Sequence, residues 1–97
     1  MRSVTSDWTF LSNYGHVLVC LAGRPDARMR DIAEAVGITE RAVQQIVREL
    51  VGNGYVEKQK DGRRNRYRIV RSAHFRHPLE STVTLGDFLD LALRGAR

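Results

Sequence analysis

The chain has 97 residues, 42% of them apolar, and a formal charge of +5; it holds one domain with a real core, which excludes a two-domain arrangement and intrinsic disorder. The longest apolar run, Val17 to Ala22, is far short of the ~20 residues a membrane span needs, so no membrane partner and a cytoplasmic location are expected. The single cysteine, Cys20, excludes an internal disulfide, and the basic balance points to an anionic partner, nucleic acid first.

In chain order, Ser12 is placed to cap a helix over Asn13 to Ala22, where Tyr14, Val17, Leu18 and Leu21 recur at helical spacing. Val19 and Cys20 widen its apolar face, which predicts a buried helix. Gly23 ends it and Pro25 blocks continuation. A second helix is predicted from Met29 to Val36, with Met29, Ile32, Ala33 and Val36 on one side and Gly37 at its end. Thr39 is an N-cap candidate, Glu40 suits the first turn, and the third helix runs to about Val51 with Val43, Ile46, Val47 and Leu50 as its inner stripe.

Gly52 to Gly54 terminates the third helix. Two short strands follow, about Tyr55–Lys58 and Arg66–Val70, joined by a loop containing Asp61-Gly62. Residues 72–83 form a connection that turns at His77-Pro78. Thr84 with Asp87 resembles a capping box opening a last helix, with Phe88, Leu89, Ala92 and Leu93 at helical spacing.

The charge is local. Between Glu57 and Arg71 stand Lys58, Lys60, Arg63, Arg64, Arg66, Arg68 and Arg71 against only Glu57 and Asp61, a surplus equal to the formal charge of the whole chain. The segment "DIAEAVGITERAVQQIVREL" has the composition of a helix-turn-helix: an apolar helix, Gly37 in the turn, a capping hydroxyl, then a helix with one polar face. That face carries Thr39, Glu40, Arg41, Gln44, Gln45 and Arg48, and Arg and Gln are suited to bidentate contacts with guanine and adenine. The hairpin follows where a wing would lie, so Lys60, Arg63, Arg64 and Arg66 are candidates for phosphates or the adjacent minor groove.

Competing readings are weaker. The acids are scattered, and the Ser and His residues have no catalytic context, so no enzyme is expected. His16 with Cys20 and His74 with His77 are two isolated pairs, so no metal or other cofactor is expected, and Cys20 reads as a core residue. A protein-interaction or RNA-binding module, or an architectural DNA binder without sequence preference, remains the alternative function.

Residues 28–71, "RDIAEAVGITERAVQQIVRELVGNGYVEKQKDGRRNRYRIV" from Arg30 onward, resemble the winged helix-turn-helix transcriptional regulators, especially small bacterial members of the ArsR and MarR type. The likeness lies in the helix, the Gly-Ile-Thr turn, the recognition helix, the "GYV" after it, and a wing with Gly-Arg and a Tyr before an apolar residue. It implies a mostly helical α+β fold, with a winged-helix core over 12–71 and a connection with a C-terminal dimerisation helix over 72–97, all in one domain. It also implies a homodimer on double-stranded DNA, acting as a repressor, with helix 39–51 in the major groove and wing 57–68 on the flanking backbone or minor groove. The dimer seam so implied draws on Trp8, Phe10, Leu11, Tyr14, Leu18, Leu21, Phe88, Leu89, Leu91 and Leu93. Two features depart from the pattern. The recognition helix lacks the cysteine pair of metal-sensing ArsR relatives, and Arg28 stands where many relatives open the second helix with Ser or Thr. A small-molecule effector would need a pocket at the seam or beside the last helix.

Overall fold

A computed structural model describes residues 8–94. Four helices, α1 (Asn13–Gly23), α2 (Met29–Val36), α3 (Glu40–Gly52) and α4 (Leu85–Arg94), accompany an antiparallel hairpin of β1 (Val56–Asp61) and β2 (Arg64–Ile69), with a short 3₁₀ turn at Pro78–Glu80. This is a mostly helical α+β winged helix. Among the described residues no helix is long and apolar enough to cross a membrane.

The three apolar stripes meet as their spacing dictates. Val17 and Leu21 of α1, Ile32 of α2, Val43 of α3 and Val56 of β1 are all essentially inaccessible, and Leu18, Ala33, Ile46, Val47, Leu50 and Leu85 close around them. Each such Val, Leu or Ile side chain contributes about 1.5–3 kcal/mol by leaving water, which is what orients α3 on its scaffold. Ala33 is small enough for α2 and α3 to approach, and it also anchors the turn: its carbonyl accepts the amides of Gly37 at 2.8 Å and Ile38 at 3.1 Å. Gly37 sits at φ 88°, a left-handed conformation that only glycine adopts without strain. Thr39 then caps α3, its Oγ1 accepting the Ala42 amide at 3.0 Å.

Two capping expectations resolve differently. Ser12 occupies the N-cap position of α1, but its side chain makes no capping bond; the helix starts on the Ser12 carbonyl, which accepts from His16 at 3.0 Å. At α2 the Asp31 carboxylate, in the first turn, accepts the Arg28 amide at 3.2 Å, the reciprocal half of a capping box, while no side chain at Arg28 accepts an amide of the first turn.

The strands are longer than the sequence suggested. Pairing runs from Val56 opposite Ile69 to Asp61 opposite Arg64, leaving only Gly62 and Arg63 in the turn. Gly62 has φ 67° while Arg63 has no positive φ, the pattern of a type II′ turn, whose twist matches that of the strands. Val56 and Tyr67 are buried and Ile69 is half-buried, so that face of the hairpin rests on the core. Lys58, Lys60 and Asn65 share the same face beyond its buried end, whereas Glu57, Gln59, Asp61, Arg64, Arg66 and Arg68 point the other way.

The connection after β2 clamps α4. The Leu85 amide bonds to Ala73 O at 2.8 Å, Gly86 to Arg71 O at 2.9 Å and Phe75 to Val83 O at 2.9 Å. Phe75 and Phe88 stack edge to face with centroids 5.6 Å apart, and Arg71 reaches Asp90 at 2.6 Å. Gly86 suits the close approach: a Cβ there would lie 3.2 Å from Arg71 O, so the neighbour would have to give by a few tenths of an ångström. Thr84 Oγ1 accepts the Asp87 amide at 3.1 Å, the cap its sequence predicted.

Candidate nucleic-acid interface

The residues expected to read DNA lie on the surface left over by α3. With Val43, Ile46, Val47 and Leu50 turned inward, Glu40, Arg41, Gln44, Gln45 and Arg48 are exposed on the opposite side, and Thr39 stands exposed at the N-terminus. Arg41 and Gln44 make no side-chain hydrogen bond among the described residues, so their polar groups remain available. Gln45 is committed: its Nε2 donates to Glu49 Oε2 at 2.8 Å, and its Oε1 accepts from Arg48 Nη2 at 2.7 Å. Glu49 in turn accepts the Tyr14 hydroxyl from α1. The Glu49 carboxyl is held below the usual carboxylate range, first by the Tyr14 hydrogen bond and then by Gln45, and the Tyr14 hydroxyl is correspondingly raised by Glu49.

The wing divides its cations into two sets. Arg68 bonds to Glu57, its cross-strand partner, at 3.1 Å, and Arg66 lies 3.8 Å from Asp61, so both charges are partly neutralised within the hairpin. Arg64 donates to Asp26 O at 2.8 Å, tying the tip of the wing to the loop between α1 and α2. Arg71 is taken by Asp90. Among the described residues no carboxylate pairs with Lys58, Lys60 or Arg63. The free charge therefore sits at the turn and on the core-side face.

A cleft of about 350 Å³ separates α3 from this face of the wing, lined by Met29, Gln44, Val47, Arg48, Lys58, Asn65 and Tyr67. Gln44 and Arg48 approach it from the helix and Lys58 and Asn65 from the hairpin, so two elements present donors to one channel. Lys58 and Asn65 were absent from the residues expected at the interface. Strand alternation signals Asn65, which lies two residues from Tyr67 and so on its face, whereas Lys58 is brought there by the register, directly opposite Tyr67. The Tyr14–Glu49 contact, 35 residues apart in sequence, had no such signal.

The residues expected at a dimer seam fall into two groups. Trp8, Phe10, Tyr14 and Leu91 are exposed by 68%, 93%, 41% and 63%, and Trp8 and Phe10 stack edge to face. Leu11, Phe88 and Leu93 are half-buried. Leu18, Leu21 and Leu89, by contrast, lie in the core of the chain itself, at 7%, 0% and 0% exposure. Helix α1 packs on α2, α3, α4 and β2 at once, and Tyr14 is its exposed large side chain. Tyr14 borders a groove of about 630 Å³, together with Phe10, Glu49, Asn53, Phe75 and Phe88.

Cys20 is half-buried, and burial pushes its thiol up from the ordinary value, as suits a packed side chain. Among the described residues no three His, Cys, Asp or Glu come together as a metal site.

No curated protein matches the chain in sequence. Among solved structures, wild-type ZitR of Lactococcus lactis, determined in complex with DNA, superposes with a TM-score of 0.56 at 21% identity, over 97% of this chain and 68% of that one. That likeness bears on the fold, a winged helix in both. Residues 15–73 match the family described as sugar-specific transcriptional regulator TrmB, and they span α1 through the wing to the first residues of the α4 clamp. The ArsR and MarR resemblance holds at the level of the winged-helix regulators as a class. By its matched family, carried on the helix-turn-helix and wing just described, the chain belongs to the TrmB transcriptional regulators and is not an enzyme.

Proposed function

We propose that the protein is a sequence-specific double-stranded DNA-binding regulator that works as a homodimer and represses by occupying its operator. Helix α3 enters the major groove, and the wing lies on the flanking backbone. The observation that carries this reading is the convergence of Gln44 and Arg48 with Lys58 and Asn65 on one cleft, in a wing where, among the described residues, no carboxylate pairs with Lys58, Lys60 or Arg63. Phosphates supply the affinity through those cations, and base edges supply the discrimination through α3. The exposed apolar side chains Trp8, Phe10, Tyr14 and Leu91 supply the seam between copies. A cytoplasmic location follows from that role.

One observation weighs against single-stranded RNA. Base stacking needs exposed aromatic faces, and the wing's aromatic, Tyr67, is buried under the hairpin.

Selection of bound duplexes from a random pool, with the mass of the complex measured alongside, tests the reading. The expected product is a pseudo-palindrome with half-sites about 10 base pairs apart or a multiple of it, bound by two copies. Gln44→Ala then costs about 1–3 kcal/mol on the selected duplex and little on random DNA. Failure to bind any duplex in dilute salt ends the proposal, and equal affinity for all duplexes reduces it to an architectural binder.

A further inference from the structure

Gln45 is held at both ends. Its amide nitrogen faces the Glu49 carboxylate and its amide oxygen faces the Arg48 guanidinium. A flipped amide would turn the oxygen onto the carboxylate and the NH₂ onto the guanidinium, both repulsive, so the partners fix one orientation. The other Glu49 oxygen accepts the Tyr14 hydroxyl from a different helix. Pairs at i, i+3 and i, i+4 on an exposed helix are weak alone. Here the row is anchored to α1, whose Val17 and Leu21 are fixed in the core, so the anchor does not move with the side chains it orders. The row holds the Glu49 carboxylate between Tyr14 of α1 and Gln45 of α3. It ends on Arg48, which lines the α3–wing cleft.

We propose that Tyr14 is a positioning residue for DNA recognition: through Glu49 and Gln45 it holds the Arg48 guanidinium at the rim of the α3–wing cleft, where it meets a phosphate. This rests on the reading of α3 as the element that docks on DNA. It assigns Gln45 to orienting Arg48 and leaves Gln44 as the glutamine free to read a base.

The test is a double-mutant cycle of Tyr14→Phe and Arg48→Ala, with affinity for the selected duplex measured by titration at several salt concentrations. Tyr14→Phe alone is expected to weaken binding about three- to tenfold, the scale of one lost solvent-exposed hydrogen bond. In the Arg48→Ala background the same change should add nothing. Glu49→Gln, whose amide cannot accept on both sides, should reproduce Tyr14→Phe and guards against a folding defect specific to the tyrosine. Equal losses in both backgrounds, a silent Tyr14→Phe, or a silent Arg48→Ala each overturn the proposal. Wild-type binding is the internal control: if it is absent, the DNA-binding reading has failed, whereas additive variants on a binding wild type refute the positioning role alone.

Discussion

Arg64 of the wing donates to the backbone carbonyl of Asp26, 38 residues earlier and 2.8 Å away. This bond joins the end of the hairpin to the loop between α1 and α2, and it spends one of the cations expected on DNA. A hairpin of two strands has little stability of its own, so a tether near its tip sets where the wing stands. Arg64→Ala should therefore cost about 0.5–1 kcal/mol of stability, below the range for a charged donor because solvent screens the exposed site. Its effect on the salt dependence of DNA binding should be smaller than that of Arg63→Ala. Denaturant titration and binding at graded salt measure the two effects. A slope reduced as much by Arg64→Ala as by Arg63→Ala would mean that the guanidinium leaves Asp26 for a phosphate.

Lys58 and Arg68 make a second contrast within the wing. They lie on opposite faces, Lys58 in the cleft beside Gln44 and Arg48, and Arg68 against Glu57. Removing a cation already paired with a carboxylate changes the net field little, whereas an unpaired one releases counterions on binding. Lys58→Ala should weaken all duplexes alike and lower the salt slope by roughly one unit, while Arg68→Ala should leave the slope nearly unchanged. The reverse order would place DNA on the outer face of the hairpin.

Much of this arrangement was legible in the sequence because it depends on short-range rules. The stripe of Val43, Ile46, Val47 and Leu50 fixes which side of α3 faces out, and Gly37 and Thr39 fix where it begins. What was not legible depends on long-range proximity. The charge surplus of residues 57–71 was visible, but its division into paired and unpaired cations follows from the register, which sets Glu57 beside Arg68. Strand length was underestimated because Gln59, Lys60 and Asn65 have no apolar alternation; cross-strand pairing and the type II′ turn carry the ladder that far. That Leu18, Leu21 and Leu89 lie in the core was not legible for a related reason: helical spacing shows that a face is apolar, not what covers it.

Leu89 and Leu91 separate two uses of α4. Leu89 is fully buried and Leu91 is 63% exposed, two residues along the same helix. Leu89→Ala should destabilise the fold by about 2–5 kcal/mol through lost transfer energy and a cavity. Leu91→Glu should leave the thermal midpoint at high dilution almost unchanged, yet lower the mass seen by light scattering if α4 lies at the seam. A dimer indifferent to Leu91→Glu would move the seam away from α4.

The Tyr14–Glu49 bond also predicts a pH signature, with a sign fixed by the two shifts. Glu49 is depressed, so its contribution is complete above the ordinary carboxylate range and is lost as pH falls through the lowered folded value. Tyr14 is raised, so its contribution is complete below the ordinary tyrosine value and is lost as pH rises through the raised folded value. The difference in thermal midpoint between wild type and Tyr14→Phe should thus be flat from about pH 5 to about pH 9, shrink in acid as Glu49 takes a proton, and shrink in alkali as Tyr14 loses one. Because both groups are exposed, the plateau itself is small, and its flatness is the informative quantity. A difference that grows in acid would require protonated Glu49 to be the better partner, and would remove the carboxylate from the row that leads to Arg48.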